Sequence, residues 1–458
     1  MELLRLAAYV LALMFCGFNL LYLIAGRYGK LYPAEAAAVS FGLGLGAVTL
    51  EMLVFSLAGF DFVLWRLALP WVIIAAINVA LFAAGKRPLS AKRTLSPDAA
   101  TGPLGIFLAS GICLEVIYAF FRALIKPIEA YDAVAIYAIK SKIFFIANSV
   151  PRDYFAKLAS LFPHPDYPLN IPLAETMGYI FMDSLNDQLV KAIFPLFFAG
   201  ILILLYSAIR RFASRTYALL FTYMLASVPQ FNAYAANAYM EVPLAYYYFA
   251  SLVFLLMWFE DRSKVSLLVM SAIMSALAGW TKNEGLLYCA INTFMVCFFL
   301  ACERKGPPGR SVLYPALYLA VIAAALFPWV SAKSAWGIAN DEINLVNLNP
   351  ANLMKQLHKL YPIFYEFQKQ LFGPKKWNIL WPVFLLALFF GRRRLFRGAS
   401  GYLALSVALA LCGYVVFYMI SYVDVVFFAS KTWARFMLHF LPAAVLLIAT
   451  LLKEDIKL

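Results

Sequence analysis

Apolar stretches of about 18 to 25 residues recur along this chain from one end to the other, and they limit most strongly what it can become. Each is long enough to cross the ~30 Å hydrocarbon core of a bilayer as a helix, which takes about 20 residues. Inside hydrocarbon the backbone amides must be paired within their own segment, so stretches of this kind are helical. Composition agrees, with 64% of residues hydrophobic and 14% charged, against about half and about a quarter in soluble domains. The expected fold class is all-α: a polytopic transmembrane helical protein with a partly helical outer loop.

The apolar runs and their polar breaks give about 13 spans, at 3–25, 35–58, 63–84, 104–124, 188–209, 215–230, 239–259, 264–281, 284–302, 311–331, 377–391, 399–420 and 433–452. The first is too long for a signal-peptide core and lacks a small-residue cleavage site, so it reads as a retained span. Basic residues in the short loops set the orientation. Arg27 and Lys30; Lys86, Arg87, Lys92 and Arg93; Arg210, Arg211 and Arg215; Arg262 and Lys264; Arg304, Lys305 and Arg310; Arg392, Arg393, Arg394 and Arg397; and Lys453 with Lys457 all fall on one side in this count. That side is expected to be the cytoplasm. The opposite short loops, near Phe60 and Asn232, carry no Lys or Arg. The N-terminus is then outside and the C-terminus inside.

This arrangement divides the chain into an N-terminal four-span segment (1–124), a first large outer loop (125–187), central transmembrane helices (188–331), a second outer loop (332–376) and C-terminal transmembrane helices (377–458). Structureless loops this long are uncommon unless functional. Tyr131 to Asn148 has helical spacing and is expected to lie partly on the membrane surface. The net charge of +14 fits basic loops beside anionic lipid. No long basic run is interleaved with aromatics, so nucleic acid is not an expected partner. Cys16, Cys113, Cys289, Cys297, Cys302 and Cys412 all lie in apolar runs and read as small buried hydrophobes rather than a disulfide framework or zinc site.

Five polar features interrupt this pattern. The first outer loop opens with Glu129-Ala130-Tyr131-Asp132 and continues to Lys140 and Lys142. An acid at the edge of hydrocarbon can serve as a general base toward an alcohol, or it can be a solvated carboxylate paired with a neighbouring lysine. The turn Pro163-His164-Pro165-Asp166-Tyr167-Pro168 is held rigid by its prolines. It can shape a substrate pocket, but with three histidines in the whole chain a metal site is poorly supplied with ligands. Glu241 stands at the mouth of a span, where a carboxylate is costly unless it faces a cavity. Lys282-Asn283-Glu284 lies between two spans and can be self-neutralising. Arg435, in Lys431-Thr432-Trp433-Ala434-Arg435, can be an ordinary snorkelling anchor or can grip a lipid phosphate. By the loop count all five reach the same outer face. Glu51, Asp61, Arg66 and Glu115 lie within or close to spans with no role in this scheme.

At these residues the sequence resembles the GT-C superfamily of integral membrane glycosyltransferases, in particular the branch with protein O-mannosyltransferases and the aminoarabinose transferase of lipid A. The resemblance covers about 125 to 440. It rests on Tyr131-Asp132-Ala133, on Glu241-Val242-Pro243-Leu244-Ala245, on Thr281 through Gly285, on His164 to Pro168, and on Asp424 through Arg435. It implies transfer of a sugar from a polyprenyl-phosphate donor to a glycan, lipid or protein hydroxyl outside the cytoplasm, at a plasma membrane (the inner one in a bacterium). Asp132 would deprotonate the acceptor, with inversion at the anomeric carbon. Lys282 and Arg435 would bind the donor phosphate, and Glu241 would orient the acceptor or a cation. Tyr131, Lys140, His164, Asp166, Tyr167, Asn283 and Glu284 would line the substrate pocket. Many relatives carry an adjacent second acid where this chain has Ala133, so a divalent metal is possible but not favoured, and no metal ligand is assigned. A lipid-borne donor also calls for a hydrophobic groove beside Asp132 and Arg435. The competing class is a lipid or sugar transporter, which would place ionisable residues or broken helices near mid-bilayer in related halves. A purely structural subunit is the third.

Overall fold

The structure, a computed structural model, describes residues 1–26, 31–85, 102–155, 163–302, 309–340, 343 and 347–453. Of the residues used above for orientation, Arg27, Lys30, Lys86, Arg87, Lys92, Arg93, Arg304, Lys305 and Lys457 lie outside the described residues. Among the described residues the chain is helical, with one isolated bridge between Ile343 and Ser421. Ten helices are long and apolar enough to cross a membrane: Glu2–Ala25, Pro33–Leu57, Leu64–Ala83, Pro103–Leu124, Asp187–Arg210, Glu241–Glu260, Gly285–Cys302, Ser311–Trp336, Gly398–Ile420 and Val425–Leu452. The three other expected spans appear as shorter helices, Arg215–Ala226, Val265–Thr281 and Leu380–Phe390. The chain is a polytopic helical membrane protein.

Two boundaries move in a way that matters. The helix expected to end near residue 331 runs on to Trp336. The last helix begins at Val425 rather than near 433, because the Asp424 carboxylate accepts from the Phe427 amide at 2.8 Å and caps it there. Arg435 is therefore well inside this helix instead of at its mouth. The cysteines also need correction. Cys16 and Cys289 are buried as expected, but Cys113, Cys297, Cys302 and Cys412 are exposed on the outside of the bundle. A lipid-facing surface accepts a small apolar side chain as readily as a core does, so membership of an apolar run did not imply burial.

Close helix contacts come from small residues. A Cβ on Gly17 would sit 1.8 Å from the Ser40 carbonyl oxygen, and one on Gly44 1.8 Å from that of Leu13. The first two helices therefore cross where only glycine lets their backbones meet. The helix Glu241–Glu260 is the centre of the bundle and is buried along almost its whole length. Its tyrosines tie it to neighbours: Tyr246 donates to the Ala38 carbonyl at 2.7 Å, Tyr247 to that of Gly42 at 2.8 Å, and Tyr248 is hydrogen-bonded to Ser406. This central position makes an acid at its first residue a core group.

Hydrogen bonds join helix ends that the loop count puts on one face. Ser184 and Asn186 donate to the Glu2 carboxylate at 2.6 and 2.8 Å. Lys359 reaches the carbonyls of Met419 and Ser421 at 3.0 and 3.3 Å, and Asn378 that of Ser227 at 2.8 Å. At the other end, Arg211 bridges to Glu35 at 2.6 Å and Arg394 donates to the Leu451 carbonyl at 2.6 Å.

Candidate active site

The first large loop folds into the bundle instead of lying only on its surface. After Asp132, residues Ala133–Ala138 form a π-helical turn that continues as Ile139–Ala147. Ala133, Ile136, Tyr137, Lys140, Ser141 and Phe144 are all buried. The following helix, Asn170–Met182, is buried almost throughout. Ser141 donates to the Glu175 carboxylate at 2.5 Å, and Thr176 donates to the Ser141 carbonyl at 3.1 Å. These bonds clip the two helical pieces together and fix where Asp132 stands. Burial pushes the Glu175 carboxyl up to about 8, against the opposing pull of the Ser141 bond.

Asn170 extends the same anchorage to the lysine turn. Its amide donates to Thr281 at 2.8 Å and its carbonyl accepts from Thr49 at 2.7 Å, while the Trp280 indole donates to Thr49 at 3.0 Å. Helix Val265–Thr281 ends here, with Lys282 extended beyond it.

Five charged residues from these distant segments meet. Arg435 donates from Nη1 to Asp132 at 2.6 Å and from Nε to Glu241 at 2.7 Å. Lys282 lies 3.3 Å from the same Glu241 oxygen and 2.7 Å from Glu284. Three carboxylates thus surround two cations. Glu241 is fully buried, whereas the side chains of Asp132 and Arg435 keep 22% and 19% of their exposure. The cluster accordingly opens to solvent at the Asp132–Arg435 end and is closed at the Lys282 end. Burial opposes the charge on Lys282, but Glu241 and Glu284 outweigh it and hold the ammonium above its usual range. The Tyr239 ring lies under the Arg435 guanidinium at 4.9 Å, and the Phe436 ring 5.9 Å from the Lys282 ammonium.

A second group adjoins through Asn283. Its amide donates to Asp166 at 2.6 Å, as does that of Asn340 at the same distance. His164 takes a left-handed backbone conformation and stacks on Tyr167 with centroids 4.6 Å apart. Lys140 donates to the His164 carbonyl at 2.8 Å. Of the sequence-derived residues, Tyr131 is the outlier: it is 75% exposed on the surface beside Asp132.

Sequence reasoning missed Tyr137, Tyr239, Asn340 and His439. Tyr137 is a buried phenol whose hydroxyl has no hydrogen-bond partner among the described residues. Burial, then the carboxylates of Glu241 and Glu284, keep it protonated well above the usual range. His439 follows Arg435 by one helical turn, and its Nδ1 pairs with Tyr414 at 2.6 Å, which in turn pairs with Tyr288 at 3.0 Å. The i, i+4 spacing of Arg435 and His439 was the available signal for one of them. Asn340 had none, since a loop amide has no periodicity.

Two expectations come out differently. Two of the acids left without a role have partners: Glu51 accepts from the Trp71 indole at 2.5 Å, and Glu115 from Asn232 at 2.9 Å. The hydrophobic groove expected beside Asp132 and Arg435 does not coincide with the wide apolar cavity of this molecule, which none of the five clustered residues lines. Among the described residues, no group of three or more His, Cys, Asp or Glu is placed to hold a metal ion. The chain matches no family model and no characterised protein.

Proposed function

We propose that this chain is a membrane glycosyltransferase of GT-C type, which moves a sugar from a polyprenyl-phosphate donor to a hydroxyl acceptor on the non-cytoplasmic face, with inversion. One observation carries this reading: Asp132, partly open to solvent, is hydrogen-bonded to Arg435 of the last helix. A carboxylate and a guanidinium from opposite ends of the chain then stand together at the face that the loop charges make external. Inverting displacement at a phosphate-bound carbon calls for a base on one side of that carbon and an anion-binding group on the other, so the sugar would enter between Asp132 and Arg435 as their bond opens.

In the reaction, the acceptor oxygen attacks the anomeric carbon and passes its proton to the Asp132 carboxylate. The bond from that carbon to the phosphate oxygen breaks, and the polyprenyl phosphate leaves with the electron pair. Arg435 exchanges a carboxylate oxygen for a phosphate oxygen on donor binding, which frees Asp132 to act as base. Lys282 adds positive charge behind it, and Glu241 holds both cations in place. His164, Asp166, Tyr167 and Asn283 form the wall on which a sugar would rest.

The test is transfer of a labelled sugar from a polyprenyl-phosphate donor to candidate acceptors by the purified protein in detergent, beside an Asp132→Asn variant. Turnover lost in the variant is the expected result. Full turnover in Asp132→Asn would remove the base assignment. Movement of the lipid across vesicles without sugar transfer would make the chain a transporter.

A further inference from the structure

At the end of the bundle opposite the charge cluster lies a cavity of about 1650 Å³, wider than the ~300–1,000 Å³ usual for small-molecule sites. The helices Glu2–Ala25, Pro33–Leu57, Pro103–Leu124, Asp187–Arg210 and Arg215–Ala226 wall it. Met14, Phe15, Phe18, Val116, Ile117 and Leu202 make its sides apolar. The room exists because Ala34, Ala36, Ala37 and Ala199 stand where larger side chains would close it. Phe15, Phe18 and Ile117 are exposed, so the groove has an open flank.

Ser40, Tyr206 and Thr222 add polar groups along the walls, but the cation lies at one end. Tyr32, Ser207 and Arg215 all lie at the end where Arg211 bridges to Glu35. There Arg211 is committed to both oxygens of Glu35 at 2.6 and 2.8 Å, and Arg210 donates to the Ala213 carbonyl at 2.6 Å. Arg215 is exposed and stands beside the cavity. An apolar slot with a positive rim matches an amphiphile whose headgroup is an anion.

We infer that this groove holds one anionic glycerophospholipid, with its acyl chains along the apolar walls and its phosphate at Arg215. Two features select it over the proposed sugar donor. The volume of the slot leaves room for paired acyl chains. Its cation also lies at the end away from Asp132 and Arg435, where a donor phosphate would have to react. The site is thus independent of the transfer reaction and stands whether or not that reading does.

The experiment uses the full chain in a mild detergent with phosphatidylglycerol or phosphatidylcholine of identical acyl chains, and native mass spectrometry to count retained lipid. One phospholipid per chain is expected, with phosphatidylglycerol favoured about fivefold, the effect of one basic side chain on an anionic headgroup. Arg215→Glu should erase the preference while lipid is still retained. Ala199→Trp should lower retention of both lipids severalfold, with Ala37→Phe as the second filling variant and circular dichroism to separate a filled groove from an unfolded chain. Equal retention of the two lipids by the unaltered protein, or unchanged retention in both filled variants that remain helical, overturns the inference. So does Arg215-dependent retention of a polyprenyl phosphate in preference to phosphatidylglycerol, which would make this the donor's groove.

Discussion

Arginines join carboxylates at both ends of this bundle, but in different proportions. At one end, Arg211 is bound to Glu35, in a pair that links the start of the second helix to the loop after Arg210. At the other, Arg435 is shared between Asp132 and Glu241, and Lys282 between Glu241 and Glu284. The first ties a helix start to a loop and makes a joint. The second has three acids to two bases, with its open side at Asp132. An unbalanced cluster can exchange partners, because taking an oxygen of Asp132 off Arg435 leaves Glu241 still bound.

Several substitutions would break or sharpen this contrast. The largest effect is expected from Asp132→Asn, which should lower sugar transfer by about 10²–10⁴-fold, the usual contribution of a positioned general base. The same variant should bind the polyprenyl-phosphate donor more tightly than the unaltered protein, because Arg435 loses a competing carboxylate. Weaker donor binding would show that Asp132 helps to hold the donor instead.

Next come the two buried acids. Glu241→Ala removes the buried carboxylate that Arg435 and Lys282 share, leaving Asp132 to the one and Glu284 to the other, and Glu35→Ala removes the carboxylate bound to Arg211. Breaking a buried pair costs about 3–5 kcal/mol, so both should lower the melting temperature in detergent. Only the first should also abolish turnover in the protein that remains folded. Loss of turnover in Glu35→Ala at a temperature where it is folded would erase the distinction between joint and site.

Asp166→Ala removes the acceptor for Asn283 and Asn340 and should cost about 1–3 kcal/mol. Its mark should be a raised KM for the sugar donor rather than a loss of kcat. Smallest is a pH effect at Glu175. Its folded carboxyl is raised to about 8 from the ordinary 4.5, so the folded state binds more protons than the unfolded chain between those values. Its contribution is present in full below about 4.5 and is lost as pH climbs toward 8. Glu175→Gln should therefore flatten the fall in thermal stability across that range. An unchanged slope would place the titrating group elsewhere.

The helical and membrane-spanning character was legible in the sequence, because hydrophobic length is a local property that hydrocarbon enforces segment by segment. The same loop count also put Asp132, Glu241, Lys282 and Arg435 on one face, and these four then meet directly. Sidedness is a parity argument along the chain and needs no packing. Less could be read where neighbours decide. Asp424 moves the start of the last helix back to Val425. The acid count around Arg435 depends on which loop folds inward. Asn340 reaches Asp166 across 174 positions of chain. The wide groove depends on alanines from two helices facing one void. Sequence by itself determined which segments are helical and which ends share a face, since both follow from local burial in lipid. Only the tertiary structure decided which charges pair, how many acids share each base and where space is left open, because those depend on distances between segments that no single stretch of chain encodes.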